Sequence, residues 1–360
     1  YQAMLATTDA DNCVFIGANA GAGVITSAGN GTIGIGHSAL TALTSGANNI
    51  AIGFQASKAM TTGDNCTVIG YRAFESANGD EDENTIIGTQ AGRDIDNDGA
   101  DENVFIGYST GLGGAGALKQ SVGIGAYALD STGGNDITGT IAIGYTALTA
   151  LTTGVGNIAI GYAAMSTHTT GTNNIAIGYG AMDDTDQSAA TLGSTDNIFM
   201  GLNAGGGAWT TAACSFNVGI GNSVMDAVMN GALRNTAVGY NSLSAITTGD
   251  SNTALGNTAG QNVTTGTLNV YLGNGAGLAT TTGGSNVAIG GSAYAAGTSG
   301  TAVAIGNEAA KTTTAGDGVW IGANANKLGT GGGGGVIIGQ NAGVNVQGAE
   351  MVAIGSSAGR

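Results

Sequence analysis

The chain has 360 residues, of which 69 are glycine, none is proline and only 9% are charged; glycine at a fifth stands far above the usual ~7%. With a positive mean hydropathy, this composition excludes a disordered chain, which would be polar and rich in charge. Twenty-four acids against eight bases give a net charge of −16, which repels nucleic acid and acidic membrane surfaces.

The first predicted element is a strand at 14–16, "VFI", closed by Gly17. The same phrase, aliphatic-x-aliphatic-Gly, recurs at Gly36, Gly53, Gly70, Gly88, Gly107, Gly125, Gly144, Gly161, Gly178, Gly201, Gly221, Gly239, Gly256, Gly273, Gly290, Gly306, Gly322, Gly339 and Gly355, 16 to 20 residues apart except for one interval of 23 after Gly178. The residue before each glycine is aliphatic or Met, and the residue three before is Val, Ile or Thr, a period-two pattern of β-branched residues that marks a short strand. Alanine stands three residues after the glycine in 17 of 20 copies, which implies a tight corner with room for one methyl. Strand, corner, a second apolar stretch and a Gly-Asn or Thr-Gly-Asn turn complete one coil, and such short strands are stable only when stacked on their counterparts.

The whole of 1–360 therefore reads as one continuous all-β domain, a parallel β-solenoid (β-roll) of about 20 short coils. Nineteen steps at ~4.8 Å per strand would make a rod roughly 90 Å long. A chain without proline keeps every donor for the ladder. Asparagine lies four residues before the glycine in eleven copies, from Asn49 to Asn286, suited either to a hydrogen-bonded ladder or to the turn.

Along this array a few residues stand out. Cys13 and Cys66 both lie four before a motif glycine, three coils apart and too distant to bridge; with Cys214 they are an odd, scattered set of free thiols rather than a disulfide framework. Residues 78–103 hold nine of the 24 acids, and Asp94, Asp96, Asp98 and Gly99 match the start of a calcium loop, with Asp101 and Glu102 as candidate further ligands. The twelfth position of that loop is Phe105, not Glu, so an acidic solvated turn is the competing reading. The longest insertions, 183–196 and 205–216, are where receptor contact is expected: Asp183, Asp184 and Asp186 in the first, and in the second Trp209, either as an exposed stacking platform for sugar or tucked onto its own roll. His37 and His168 fall in distant coils with no nucleophile or zinc pattern between them, and the glycine run at 330–335 lacks the Lys-Ser/Thr of a phosphate loop. These features predict no enzyme. No apolar run approaches the ~18 residues of a membrane span, so no insertion of this segment is expected.

If the residues one and three before the glycine fill the coil, the residue two before faces outward. That position is never charged, and Phe15, Phe105 and Phe199 are each followed one coil later by a glycine, Gly34, Gly123 and Gly219. A ring over bare backbone is how large and small residues interdigitate in a packed interface. The stripe, continued by Tyr271 and Trp320, is accordingly expected to bury itself against copies of the same chain; the competing reading is a wider coil in which both faces are internal.

The phrases "NIAIGYAA", "NVAIGGSA", "AVAIGNEAA" and "MVAIGSSAG" resemble the repeat of the YadA-like head of trimeric autotransporter adhesins and related repeats of bacteriophage tail fibres. The resemblance covers all twenty copies, although these coils are longer and less regular than the adhesin repeat, which tilts the reading toward a phage fibre. It implies a left-handed β-roll, three chains packed about a common axis, and an extracellular location on a virion or a bacterial surface. The expected role is a structural or adhesive fibre segment that spaces or presents a host-attachment tip. Further fibre domains or subunits are expected at both ends, and a cell-surface glycan or protein is a candidate partner. The alternatives are a bacterial adhesin head that itself binds host or matrix, and a polysaccharide-degrading tail spike.

Overall fold

A computed structural model describes residues 6–7, 11–26, 29–97, 99–114, 116, 118–132, 137–185, 193–298, 300–314, 316–329, 334–346 and 351–359. It is all-β, a parallel β-solenoid, and divides into two compact units, Tyr1–Ile177 and Gly178–Arg360. The boundary falls at the motif glycine that precedes the longest interval in the repeat. Among the described residues each unit holds ten three-residue strands, from Val14–Ile16 to Ile175–Ile177 in the first and from Ile198–Met200 to Val352–Ile354 in the second.

Within each unit successive strands pair in parallel and in register, so that equivalent positions stack into columns. Ile158 sits on Ile175 and Ile160 on Ile177 in the first unit; Val287 sits on Val303 and Ile289 on Ile305 in the second. Two shorter parallel pairs, Ala6–Thr7 with Val24–Ile25 and Leu118–Lys119 with Ile137–Thr138, add to the first unit.

The corner after each strand is built by alternating backbone handedness. The motif glycine has φ between 124° and 151° (139° at Gly36), and positive φ returns two and four residues later, as at Ser38 and Leu40 or Arg72 and Phe74. Only glycine takes the motif position, because a Cβ on Gly53 would fall inside the backbone of Gly70 one coil on. The left-handed non-glycine residues, each strained by of order 1 kcal/mol, are held by main-chain bonds that run alternately to the coil before and the coil after. Ser38 N–H donates to the Ala18 carbonyl at 2.8 Å, and Leu40 N–H to the Ala56 carbonyl at 3.1 Å. The alanine between them, Ala39, points inward and is fully buried, as are Ala56, Ala73 and Ala91, which accounts for the single methyl seen in the sequence.

The interior reverses the expected strand parity. The middle residue of each strand faces the core: Phe105, Phe199, Tyr271 and Trp320 are 0% exposed within the single chain. Gly34, Gly123 and Gly219 lie beside the rings as expected, but inside the coil, where a Cβ on Gly219 would come within 2.5 Å of Phe199 and one on Gly34 within 2.7 Å of Phe15. Phe15, Gly34, Phe105, Gly123, Phe199, Gly219, Tyr271 and Trp320 are therefore core residues of their own chain and not the surface of an interchain contact; Phe15, in the first coil, keeps partial exposure. The aliphatic residues flanking them face out.

The asparagines form a buried ladder. In the second unit Asn252 donates from its Nδ2 to Asn235 Oδ1 at 3.0 Å and to the Gly266 carbonyl at 2.8 Å, while its own Oδ1 accepts the Asn269 main-chain N–H at 3.1 Å. The same pattern joins Asn157 to Asn174 in the first unit. Each amide thus satisfies backbone groups that would otherwise be buried unpaired.

Candidate interaction surface

The reversed parity leaves one face of each unit lined by the first and third residues of every strand. These side chains are aliphatic, Met or Thr and in register; most are intermediate in exposure, some are more open, such as Leu255 at 47%, and Ile16 and Ile354 in the first and last coils reach 58% and 67%. Neither column carries a charged side chain in a protein of net charge −16. At ~4.8 Å per layer and ~3.3 Å per residue, ten layers of a strand and its following residue present a footprint on the order of 600 Å² per unit, near the ~800 Å² per partner of a stable interface.

The residue after the motif glycine adds a third outward column, and its chemistry differs between the units. In the first unit it carries His37, Phe54, Tyr71, Tyr108, Tyr145 and Tyr162. His37 stacks on Phe54 and Phe54 on Tyr71, with centroids 5.4 and 5.3 Å apart and ring planes 19° and 11° from parallel. Tyr145 stacks on Tyr162 at 5.3 Å and 16°. Where the column holds Ala126, the next residue, Tyr127, lays its ring edge-on between Tyr108 and Tyr145, at 5.3 and 5.9 Å. In the second unit the column holds, besides Tyr179, Leu202 and Tyr240, mostly amides, with Asn274 Nδ2 donating to Asn257 Oδ1 at 3.3 Å.

The candidate calcium ligands are not brought together. Asp94 accepts two bonds from the Arg93 guanidinium, at 2.7 and 2.6 Å. Asp101 Oδ1 accepts the Asp82 main-chain N–H at 3.1 Å and its Oδ2 lies 3.7 Å from Lys119 Nζ. Glu102 accepts Gln120 Nε2 at 2.7 Å. Asp98 lies outside the described residues, Asp96 is exposed, and among the described residues no group of three or more His, Cys, Asp or Glu is placed to hold a metal.

The segment's acids instead extend a column. Ala47 N–H donates to Asp64 Oδ1 at 2.6 Å and Asp64 N–H to Asp82 Oδ1 at 2.6 Å, continuing the bond from Asp82 to Asp101. Desolvation, with the nearby carboxylates of Asp64, Asp80 and Asp101, pushes the Asp82 carboxyl above its ordinary value against the lowering effect of its backbone bond. On another side of the same coils a groove of about 530 Å³ is lined by Lys58, Arg72, Glu75 and Asp94 among others. Arg72 Nε donates to Glu75 at 2.5 Å and Lys58 lies 4.0 Å from it, so cations and carboxylates there pair with one another.

Trp209 is not a platform. It is fully buried, packed edge-to-face on Phe199 with centroids 5.9 Å apart, and its Nε1 has no hydrogen-bond partner among the described residues. Asp183 and Asp184 are half-buried at a corner, where burial raises the Asp183 carboxyl; Asp186 lies outside the described residues. His37 belongs to the aromatic column, with Nδ1 3.0 Å from Ser38 Oγ, whereas His168 is buried with Nε2 3.4 Å from Asn174 Nδ2.

The three cysteines are free, and burial pushes the Cys66 thiol up to about 12 and the Cys214 thiol to about 11, which leaves them protonated and inert near neutral pH. Sequence reasoning missed the aromatic column, although an aromatic residue directly after the motif glycine in successive copies was there to be read. No protein-family model matches this chain, and no curated protein does.

Proposed function

We propose that this chain is a non-enzymatic segment of an extracellular or virion fibre, assembled with two further copies of itself, that spaces or presents a host-attachment tip. The observation that carries the reading is the uncharged, mostly aliphatic face, two partly exposed columns wide, on an in-register parallel stack. Fully burying an aliphatic side chain stabilises by roughly 1.5–3 kcal/mol, so a face that leaves two of them partly exposed in each layer is matched by a surface of the same period. A copy of the same chain supplies that period layer for layer. The number three and the fibre context rest on the likeness of the "NIAIGYAA" phrases to adhesin and tail-fibre repeats.

Sedimentation equilibrium tests the reading with two aspartate substitutions in one strand. Wild type is expected at three chain masses. Ile160→Asp, on the outward face, is expected at one chain mass with an unchanged far-ultraviolet β signal. Ala159→Asp, which points into the coil, is expected to lose that signal. Wild type at one chain mass at every concentration would end the assembly reading.

A further inference from the structure

We propose that the aromatic column of the first unit, carried by Phe54, Tyr71, Tyr108, Tyr145 and Tyr162, is the seam along which a second copy of this chain docks, parallel and in layer register. The inference rests on the self-assembly reading above and adds which side chains close the joint. The column is dispensable for the coil, because asparagine fills the same position at Asn222, Asn257, Asn274 and Asn307 in coils of the same build. Aromatic rings there serve something outside the coil. The five are between 39% and 49% exposed and lie directly after the motif glycine that closes each aliphatic strand, so they extend that face.

Ring orientation selects the occupant. A sugar stacks on the open face of a ring, but His37, Phe54 and Tyr71, and likewise Tyr145 and Tyr162, turn their faces toward one another along the column. Their edges are what point outward, and edges pack against aliphatic side chains or against other rings. A ligand that meets a ring in successive layers, interrupted only at Thr89 between Tyr71 and Tyr108, must itself repeat with the rise of the stack. The outward columns of another copy do so, and they too lack charge, so the net −16 opposes their approach only from a distance. An amide column packs less apolar area than a tyrosine column, so the joint is tighter in the first unit than in the second.

The test compares wild type with Tyr108→Asn/Tyr145→Asn/Tyr162→Asn, which installs the residue the second unit already uses at this position. The variant is expected to keep its β signal and to self-associate at least about tenfold more weakly, a loss of ~1.4 kcal/mol or more. In wild type, tetranitromethane should nitrate these three tyrosines at least about tenfold more slowly in the assembled protein than in the dissociated Ile160→Asp chain, by peptide mapping. Equal nitration, or undiminished association of the triple variant, while wild type sediments as an oligomer, overturns the seam and leaves self-assembly standing. Wild type at one chain mass removes both. Protection that appears only when a soluble neutral β-glucan is added makes the column a sugar site and overturns the proposal.

Discussion

At the scale of single residues, the coil interior is governed by an exchange of volume between two positions, two before and four after the motif glycine. In most coils where the first is large the second is glycine, as in Phe105 with Gly111, Phe199 with Gly205 and Tyr271 with Gly277, and in several where the first is alanine the second is large, as in Ala142 with Leu148 and Ala159 with Met165; Trp320 with Asn326 and Ala254 with Gly260 depart from the exchange. A Cβ on Gly111 would come within 2.7 Å of the Phe105 ring, and one on Gly205 within 2.8 Å of Phe199. Phe105→Ala alone is expected to destabilise by about 3–5 kcal/mol through the cavity it leaves. Adding Gly111→Leu should recover most of that loss, since Leu148 holds the same left-handed backbone, φ 50° against 54° at Gly111. Denaturant unfolding measures both, and a double variant no more stable than the single one would mean that the two sites do not share a space. The same exchange shows why strand parity was hard to read. A three-residue strand that is apolar at all three positions fits either orientation, and the Phe/Gly alternation between coils is a signature of packing inside as much as between chains. The pairing with the residue four after the glycine settles it, because only an inward side chain can trade volume across its own coil.

At the scale of elements, strand, corner and glycine were all legible, because backbone geometry imposes them afresh in each coil. The candidate calcium ligands that are described do not converge, and for a physical reason: D-x-D-x-D-G spacing describes carboxylates converging in a loop, whereas here Asp94 turns to Arg93 while Asp101 and Asp82 join a column along the stack. That column has a pH signature. The Asp82 carboxyl is raised by desolvation first and then by Asp64, Asp80 and Asp101. A carboxyl raised in the folded state contributes stability that is complete below its unfolded value and is lost as pH rises through the folded one. Asp82→Asn keeps an acceptor for the Asp64 N–H, as Asn30 does for Asp11 at 2.6 Å, and removes the charge. The variant is therefore expected to match wild type near pH ~3 and to exceed it at pH ~7 by on the order of 0.5 kcal/mol, the scale of partly exposed charges. Paired thermal melts across that range measure the difference, and a gap that does not widen with pH would show that the carboxylates do not repel through the stack.

At the scale of the whole molecule, charge is segregated from the face that self-assembly would use. All 24 acids lie off the outward strand columns, as do the eight bases, so copies that approach through those columns meet no ion pair to form and no like charge in direct opposition. The remaining electrostatic term is the long-range repulsion between bodies of net charge −16, and salt removes it: the Debye length falls from ~30 Å at 0.01 M to ~3 Å at 1 M. Apolar burial and ring-edge packing are not weakened by that screening. Self-association should therefore strengthen steadily as sodium chloride is raised over this range, by sedimentation equilibrium at fixed protein concentration. An interface held by ion pairs, such as one built on the groove of Lys58, Arg72 and Glu75, would weaken over the same range. The sign of the salt dependence thus tells which surface of the solenoid the copies share.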